Sequence, residues 1–316
     1  MKIQQQCALA GTILLAFTAA GLVLRASPPT AAGVPAQTTK MVITIRSDHK
    51  SGSVPEDLQA RDLSVTEGNT PVPAVGLRRF AGDLAGMQLF VLLDDSTRRS
   101  GLGLHMPELR GFLNSLPSTT QVAVGYVRNG TLAQPQAFTA DHEKATSALR
   151  LPLGVPGVNG SPYFGLSDLV KHWPSKEPTG RRAVLLVTDG VDRYFGTETV
   201  EDPYVDAAIH DALKSGVTIY SIYLRSAGLY DRGNVVTNFA QSRLSQVSQE
   251  TGGYAYFENF SDPVTMTPFL NDLSDRLGNQ YEVTFAALSQ HGLQPVKLRT
   301  ELPGLQIEYP SRVFVP

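Results

Sequence analysis

The stretch Gln88 to Ser100, QLFVLLDDSTRRS, decides the fold of this 316-residue chain. Its first part, Leu89 to Leu93, is apolar without interruption, which is typical of a strand buried on both faces of a sheet. Polar residues begin where this strand ends, at Asp94 and Ser96. Because ligands bind at the carboxyl ends of strands in open α/β sheets, we expect these side chains at the rim of a crevice.

A second apolar strand ends in the same way. Arg182 to Asp189, RAVLLVTD, closes with an acid, and Gly190 follows where a tight turn is needed. Two acids at the ends of two strands predict one shared site. The alternative is that Asp189 and Gly190 form an ordinary turn.

Strand and helix patterns alternate after the central strand, and they predict an α/β fold. The expected architecture is a doubly wound, mostly parallel sheet with helices on both faces. The clearest helix is Pro203 to Ser215, with Asp202 as N-cap and Gly216 as the stop. Further predicted helices are Pro107 to Leu116, Asp141 to Leu149 and Pro263 to Leu277. Further predicted strands are Gln121 to Val127, Thr131 to Phe138 at an edge, Val217 to Leu224 and Tyr254 to Phe257.

Four segments follow from the patterns along the chain. We predict a signal peptide or N-terminal anchor with a linker (1–39), a small β segment (40–84), the α/β domain (85–280) and a C-terminal β segment (281–316). Both β segments show short runs of alternating apolar and polar residues. We expect them to pack together or to act as spacers.

The N-terminal segment predicts export. Lys2 precedes the apolar stretch Ala8 to Leu24, and Ser27 to Thr39 is rich in Ala, Pro and Thr. The apolar stretch is shorter than the ~20 residues that span a bilayer, which favours cleavage, after Ala26 or Ala36, over an uncleaved anchor. We expect the protein in the periplasm, at the cell surface or secreted, with the membrane touched only by an uncleaved N-terminal segment.

Composition excludes several functional classes. The net charge of -2, with 27 basic and 29 acidic residues, gives no excess of positive charge that would indicate nucleic-acid binding. The one cysteine, Cys7, precedes the apolar stretch, so the mature chain has no disulfide and no thiol chemistry. The six histidines share no close metal-ligand spacing.

These residues resemble a von Willebrand factor type A (VWA) domain over about residues 85–280. The resemblance is carried by the strands QLFVLLDDS and AVLLVTDG, by the loop around Ser161, and by the strand and helix order. The flanking stretches ARDLSVTEGNTPVP, NQYEVTF and PVKLRTELPG resemble exported bacterial proteins called VWFA-related. The resemblance implies a non-enzymatic binding or adhesion module.

The resemblance also implies a metal-ion-dependent adhesion site (MIDAS). In that family a divalent cation is held by an Asp-x-Ser-x-Ser run, a Thr from a middle loop and an Asp after a later strand. Asp94 and Ser96 match the first two positions, Asp189 matches the last, and Ser161 is the candidate for the Thr. Such a set suits Mg²⁺ and leaves a position for an acidic group of a protein or surface ligand. Alternatively, Ser161 before Pro162 is an ordinary helix start.

Arg98 stands at the third position of the run, where the family has Ser. A guanidinium cannot ligate a cation. Either Arg98 points to solvent and leaves a weakened Mg²⁺ site, or it folds inward and replaces the cation. We expect a weakened or absent metal. The alternative to any role at the site is that Arg98 and Arg99 simply form a solvent-exposed face.

Two other functions remain open. One is a structural envelope protein with a vestigial site, which Arg98 favours. The other is a phosphohydrolase of the haloacid dehalogenase type, in which an Asp nucleophile is followed two residues later by an acid. Ser96 occupies that position here, so the proton donor is missing. We therefore expect no enzymatic activity.

Overall fold

The computed structural model describes residues 37–47, 54–55, 57–97, 99–153, 160–199, 201–225, 234–288 and 291–316. The strands are β1 (Thr38–Ser47), β2 (Leu63–Glu67), β3 (Thr70–Val72), β4 (Ala74–Arg79), β5 (Met87–Asp94), β6 (Thr120–Arg128), β7 (Thr131–Thr139), β8 (Arg182–Thr188), β9 (Val217–Tyr223), β10 (Ala255–Tyr256), β11 (Gln280–Ala286), β12 (Gly292–Thr300), β13 (Leu305–Glu308) and β14 (Arg312–Val315). The α-helices are α1 (Arg99–Ser115), α2 (His142–Ser147), α3 (Pro162–Lys171), α4 (Pro203–Ser215), α5 (Val235–Glu250) and α6 (Thr267–Gly278).

A six-stranded sheet forms the centre of the α/β unit. Its strand order is β10-β9-β8-β5-β6-β7, and the pairs are parallel except for β7, which runs antiparallel to β6 at one edge. Strand β5, which contains the apolar run Leu89 to Leu93, lies between β6 and β8. The predicted fold class, a doubly wound and mostly parallel sheet, is confirmed.

Helices cover both faces of this sheet because successive residues of a strand point to opposite sides. Leu89 and Leu93 of β5 belong to a buried cluster with residues of α1 and α6. Phe90 and Leu92 belong to a second cluster with residues of α3, α4 and α5. All four side chains are fully buried, which explains why β5 is apolar throughout.

Helix α4 has the predicted bounds and ends. The side chain of Asp202 accepts hydrogen bonds from the backbone N–H groups of Tyr204 and Val205, and Pro203 occupies the first turn. Gly216 has φ +63°, a left-handed conformation that suits glycine at a helix end.

Helix α1 begins eight residues before the predicted start at Pro107. The proline lies inside the helix, where it removes a donor and normally ends a helix. Leu102, Met106, Leu109 and Leu113 form a buried stripe at helical spacing on both sides of it. Burial of this stripe outweighs the local preference of proline.

Helix α6 begins later than predicted, at Thr267 instead of Pro263. The Asp262 carboxylate does not cap it; it accepts a hydrogen bond from the backbone N–H of Arg225 at 2.6 Å. Two other side chains cap it: the backbone N–H of Thr267 donates to Glu108 Oε2 of α1 at 2.6 Å and to Thr265 Oγ1 at 3.1 Å. The part of the cap that Glu108 supplies comes from another helix and leaves no local sequence signal.

The strands before and after the α/β unit pair with one another. They form two four-stranded sheets, with orders β13-β1-β11-β4 and β14-β12-β2-β3. Apolar residues of both sheets, such as Ile43 and Phe285 from one and Val65 and Leu298 from the other, share one buried cluster. The flanks therefore build a small β-sandwich.

No helix in the described part of the chain is long and apolar enough to span a membrane.

Candidate functional site

The two predicted acids lie side by side at the carboxyl edge of the central sheet. Strands β5 and β8 are parallel neighbours, with Leu93 opposite Val187, so Asp94 and Asp189 follow at adjacent strand ends. The exposed fractions are 3% for Asp94 and 0% for Asp189. Two buried carboxylates this close need a positive charge or hydrogen-bond donors.

Hydroxyl groups satisfy Asp94. Its Oδ1 accepts from the backbone N–H of Ser96 at 2.9 Å and from Ser96 Oγ at 2.5 Å. Its Oδ2 accepts from Thr188 Oγ1 at 2.6 Å. The DDS sequence thus closes a tight turn in which Ser96 binds the acid two residues before it.

The pKa of Asp94 is raised to about 6 from 3.8. Burial is the main cause, and the negative charge of Asp189 adds to it. The hydrogen bonds from Ser96 and Thr188 act in the opposite direction. A carboxyl with this balance changes charge near neutral pH.

A guanidinium satisfies Asp189. Arg193, four residues later in the same loop, donates from Nη2 to Asp189 Oδ2 and from Nη1 to Asp189 Oδ1 at 3.3 Å. Burial alone would lower the pKa of Arg193, but the charges of Asp189, Asp94 and Asp192 raise it overall. Arg193 is therefore a fixed positive charge in the crevice, and its side chain remains 19% exposed.

Ser161 lies in the same crevice and also begins a helix. Its Oγ accepts from the backbone N–H of Tyr163 at 3.3 Å, as an N-cap of α3 does. The two interpretations from the sequence are thus compatible. The loop of Arg193 is tied to this segment, because the Arg193 N–H donates to Gly160 O at 3.0 Å.

Three of the four predicted residues line one small cavity. Asp94, Ser96 and Ser161 surround it together with Arg193, and its volume is about 10 Å³, close to the smallest space that holds a water molecule. Asp189 is connected to the cavity through Arg193, which it binds.

The side chain of Asp95, the other acid of the turn, does not bind the crevice residues described above but binds the segment that contains Arg150 and Leu153. Arg150 binds it from both Nη atoms, at 2.6 and 3.1 Å, and the backbone N–H of Leu153 donates to it at 2.9 Å. Burial acts to raise the pKa of Asp95, but these donors lower it overall. Asp95 therefore holds the loop that contains Arg150 and Leu153.

Arg98, on which the sequence argument about the metal depended, lies outside the described residues. The functional residue that the sequence analysis missed is Arg193. Its one signal was a basic residue four positions after Asp189 in VTDGVDR. This spacing implies contact in a helix but not in a loop.

The resemblance implies a divalent cation at this position, and the arrangement of these residues does not fit one. Both oxygens of Asp189 bind a guanidinium, and both oxygens of Asp94 bind hydroxyl groups. A fixed cation beside Asp94 and Ser161 repels a second cation. No group of three or more His, Cys, Asp or Glu side chains that could hold a metal occurs in the described ranges. The ligand roles of Asp94, Ser96, Ser161 and Asp189 stay a prediction.

The strand order, with one antiparallel edge strand, and the crevice at the ends of β5 and β8 define a VWA-type fold. Solved structures similar to this chain include an aerotolerance-related membrane protein from Bacteroides fragilis, with 14% identity, a TM-score of 0.43, and coverage of 61% of this chain and 98% of that chain. The VWA domain of SpRpn10 has 12% identity, a TM-score of 0.39, and coverage of 61% and 97%.

Proximal thread matrix protein 1 from the mussel byssus, described with a zinc-occupied MIDAS motif, is also similar in structure. Its identity is 15%, its TM-score is 0.43, and the match covers 62% of this chain and 46% of that chain. No protein-family model and no curated protein sequence matches the chain.

Proposed function

We propose that this protein is an exported, non-enzymatic binding module that recognises a protein or other surface ligand at the crevice of Asp94, Ser96, Ser161 and Asp189. The observation that carries the proposal is the Arg193 guanidinium, held by buried Asp189 and partly exposed beside Asp94 and Ser161. It supplies a positive charge at the place where the resemblance puts a metal.

A guanidinium in this position suits an acidic group on the ligand. The Arg193 guanidinium makes three hydrogen bonds to described residues, two to Asp189 and one to Val191 O, and a guanidinium has five N–H donors in a rigid plane. The remaining donors are available to a carboxylate. The metal is therefore weakened or lost, and the ligand is bound without it.

Four aromatic side chains, two exposed and two partly buried, extend this surface. We call Phe164, Tyr194, Phe195 and Tyr204 the aromatic rim, because Tyr194 and Phe195 directly follow Arg193. Phe164 and Tyr204 lie edge to face at 4.2 Å, and Tyr194 packs on both rings at 5.2 and 5.6 Å. Tyr and Arg are enriched at the energetic centres of protein interfaces. The positive charge of Arg193 beside the aromatic rim therefore suits a protein ligand.

Catalysis is not part of the proposal. A phosphohydrolase mechanism needs an acid two residues after the nucleophile, and that residue is Ser96, which donates to Asp94. A phosphatase and esterase screen is expected to give no turnover above background. Turnover that disappears in Asp94→Asn would favour the enzyme alternative.

Export is proposed from the N-terminal pattern, with the mature chain beginning between residues 27 and 40. N-terminal sequencing of protein from the outer cell fractions checks this. An intact Met1 on cytoplasmic protein would contradict it.

Site-directed photocrosslinking tests the binding function. Benzoylphenylalanine is placed at Tyr194 on the aromatic rim or at Val75 on the β-sandwich, and both native side chains are 56% exposed. In cells that express the full chain, we expect a discrete adduct from position 194 and none from position 75. Arg193→Gln in the same background is expected to reduce the adduct severalfold.

Two outcomes would contradict the proposal. Equal adducts from both positions would mean nonspecific contact. The absence of adducts from position 194 would favour the structural envelope protein with a vestigial site.

A further inference from the structure

A second cavity lies at the opposite end of the central strands. Its volume is about 390 Å³, which falls within the range of small-molecule sites. It is lined by the first residues of β8 and β9, by the last turn of α4, and by β1, β11 and β14 of the β-sandwich. The seven residues of β8 separate it from the crevice by roughly 20 Å, so it is independent of the proposed function.

The lining of this cavity has an excess of positive charge. It contains four basic side chains and one acidic side chain: Lys40, Arg182, Lys214, Arg312 and Glu282. Glu282 is already engaged, because Arg78 donates to it at 2.5 Å and Lys40 lies 3.2 Å from it. It therefore does not balance the remaining cations.

The cations differ in their partners. Arg312 lies 3.4 Å from Glu250. Arg182 and Lys214 form no ion pair with any residue that the structure describes. Two unpaired cations at one cavity attract an anion.

Arg182 provides an independent observation. Its Nε is buried and has no hydrogen-bond partner among the described residues, although buried donors in proteins are almost always paired. Its guanidinium carbon lies 5.9 Å from the Trp173 ring centroid. The described residues therefore leave this donor of a cavity-lining side chain unsatisfied.

Apolar residues form one wall of the cavity, and hydroxyl and glycine residues complete the lining. Met41, Leu213, Val217 and Val313 are buried, and Phe314 is partly exposed beside them. A purely inorganic anion would leave this area without contact. The combination suits a ligand with an anionic head and an apolar body.

We propose that this cavity binds a small organic anion, with Arg182 and Lys214 holding the anionic head and the apolar wall holding the body. The site joins the α/β unit to the β-sandwich, since both contribute to its lining.

The test uses 8-anilino-1-naphthalenesulfonate as the probe and the purified full chain. The probe carries an anionic head on aromatic rings, and its fluorescence rises in apolar surroundings. We expect one saturable site, with energy transfer from Trp173, the single tryptophan. The neutral analogue N-phenyl-1-naphthylamine lacks the sulfonate and is expected to bind at least tenfold more weakly.

Lys214→Gln is the main variant because Lys214 is exposed and its loss does not threaten the fold. We expect its Kd for the probe to rise about tenfold, the equivalent of about 1.4 kcal/mol. Arg182→Gln is expected to behave in the same way, with a melting curve to check folding. Lys297→Gln removes an exposed charge from β12, outside the cavity, and is expected to leave the Kd unchanged.

Three results would overturn the proposal. They are nonsaturable binding, equal affinity for the neutral analogue, and a Kd that Lys214→Gln leaves unchanged. Loss of binding in Phe195→Ala, with Lys214→Gln unaffected, would place the probe on the aromatic rim and would also contradict the cavity site.

Discussion

At the scale of single residues, the crevice combines two buried acids with different partners. Among the residues that the structure describes, Asp94 has hydroxyl donors and no ion pair, whereas Asp189 binds Arg193. The charge of Asp94 is therefore less well compensated than that of Asp189. Its raised pKa expresses this difference.

Asp94→Asn is expected to stabilise the protein at pH 7.5. A carboxyl whose folded-state pKa is raised to about 6, above its ordinary 3.8, lowers stability as pH rises between these values. The amide cannot ionise, so the variant gains up to about 3 kcal/mol at pH 7.5. Below about pH 4 this advantage disappears, because the wild-type acid is then protonated in both states.

Urea unfolding at pH 7.5 and pH 3.5 measures this effect. Asp95→Asn is the matched control, because Arg150 and Leu153 lower the pKa of that acid and its loss should destabilise the protein at pH 7.5. If Asp94→Asn is destabilising at both pH values, the account of Asp94 as an undercompensated acid is wrong.

At the scale of secondary structure elements, the sequence predicts those strands and helices whose ends are set by local patterns of residues. Strand β5 and helix α4 were found because an unbroken apolar run and an Asp-Pro to Gly pair are local signals. Asp94, Ser96 and Ser161 were found because strand ends and helix starts place side chains at the crevice.

Contacts between distant residues explain what the sequence did not reveal. The local sequence predicts a helix start at Pro107, because the buried stripe that continues the helix through the proline depends on contacts with the sheet. Arg193 was missed because the path of its loop depends on Gly190 at φ +64° and on the bond of the Arg193 N–H to Gly160 O.

The start of α6 provides a prediction at this scale. Burial acts to raise the pKa of Glu108, but hydrogen bonds from Thr265 and Thr267 lower it to about 2 overall. Glu108→Ala removes this cap and is expected to destabilise the protein by about 1 kcal/mol at pH 7. Glu108→Gln retains an acceptor and should lose less.

The stabilisation that Glu108 provides should depend on pH, and the direction follows from its lowered pKa. A carboxyl with a depressed pKa contributes stability above its ordinary value of 4.5 and loses it as pH falls toward about 2. The difference in melting temperature between wild type and Glu108→Ala should therefore narrow below pH 4.5. A constant difference would mean that the effect comes from packing.

At the scale of the whole molecule, residues 36–316 form one compact unit. Helix α6 and β13 of the sandwich are connected through Arg276, which donates to Asp272 at 2.6 Å and to Glu308. Arg46 of β1 binds the same Asp272 at 2.5 Å. An ion-pair network thus joins the α/β unit to the β-sandwich.

Replacing either arginine of this network is expected to lower the free energy of unfolding by a different amount. Arg276 is 3% exposed and Arg46 is 30% exposed, although both bind Asp272. Arg276→Gln removes the buried guanidinium that Asp272 and Glu308 share, and it is expected to cost about 2 to 3 kcal/mol. Arg46→Gln is expected to cost at most about 1 kcal/mol. Thermal unfolding of both variants measures this, and equal losses would contradict the role of burial.

The central claim is that Arg193 is the cation of the crevice, and a metal titration of the melting temperature tests it most directly. Wild type, Arg193→Gln and the exposed control Arg299→Gln are melted with and without 5 mM Mg²⁺ or Mn²⁺, a metal concentration of roughly tenfold a weak Kd. The account predicts no shift for wild type and the control, and a metal-dependent rise of about 3 °C for Arg193→Gln that Asp94→Ala removes. Strong metal stabilisation of the wild type, abolished by Asp94→Ala, would contradict it.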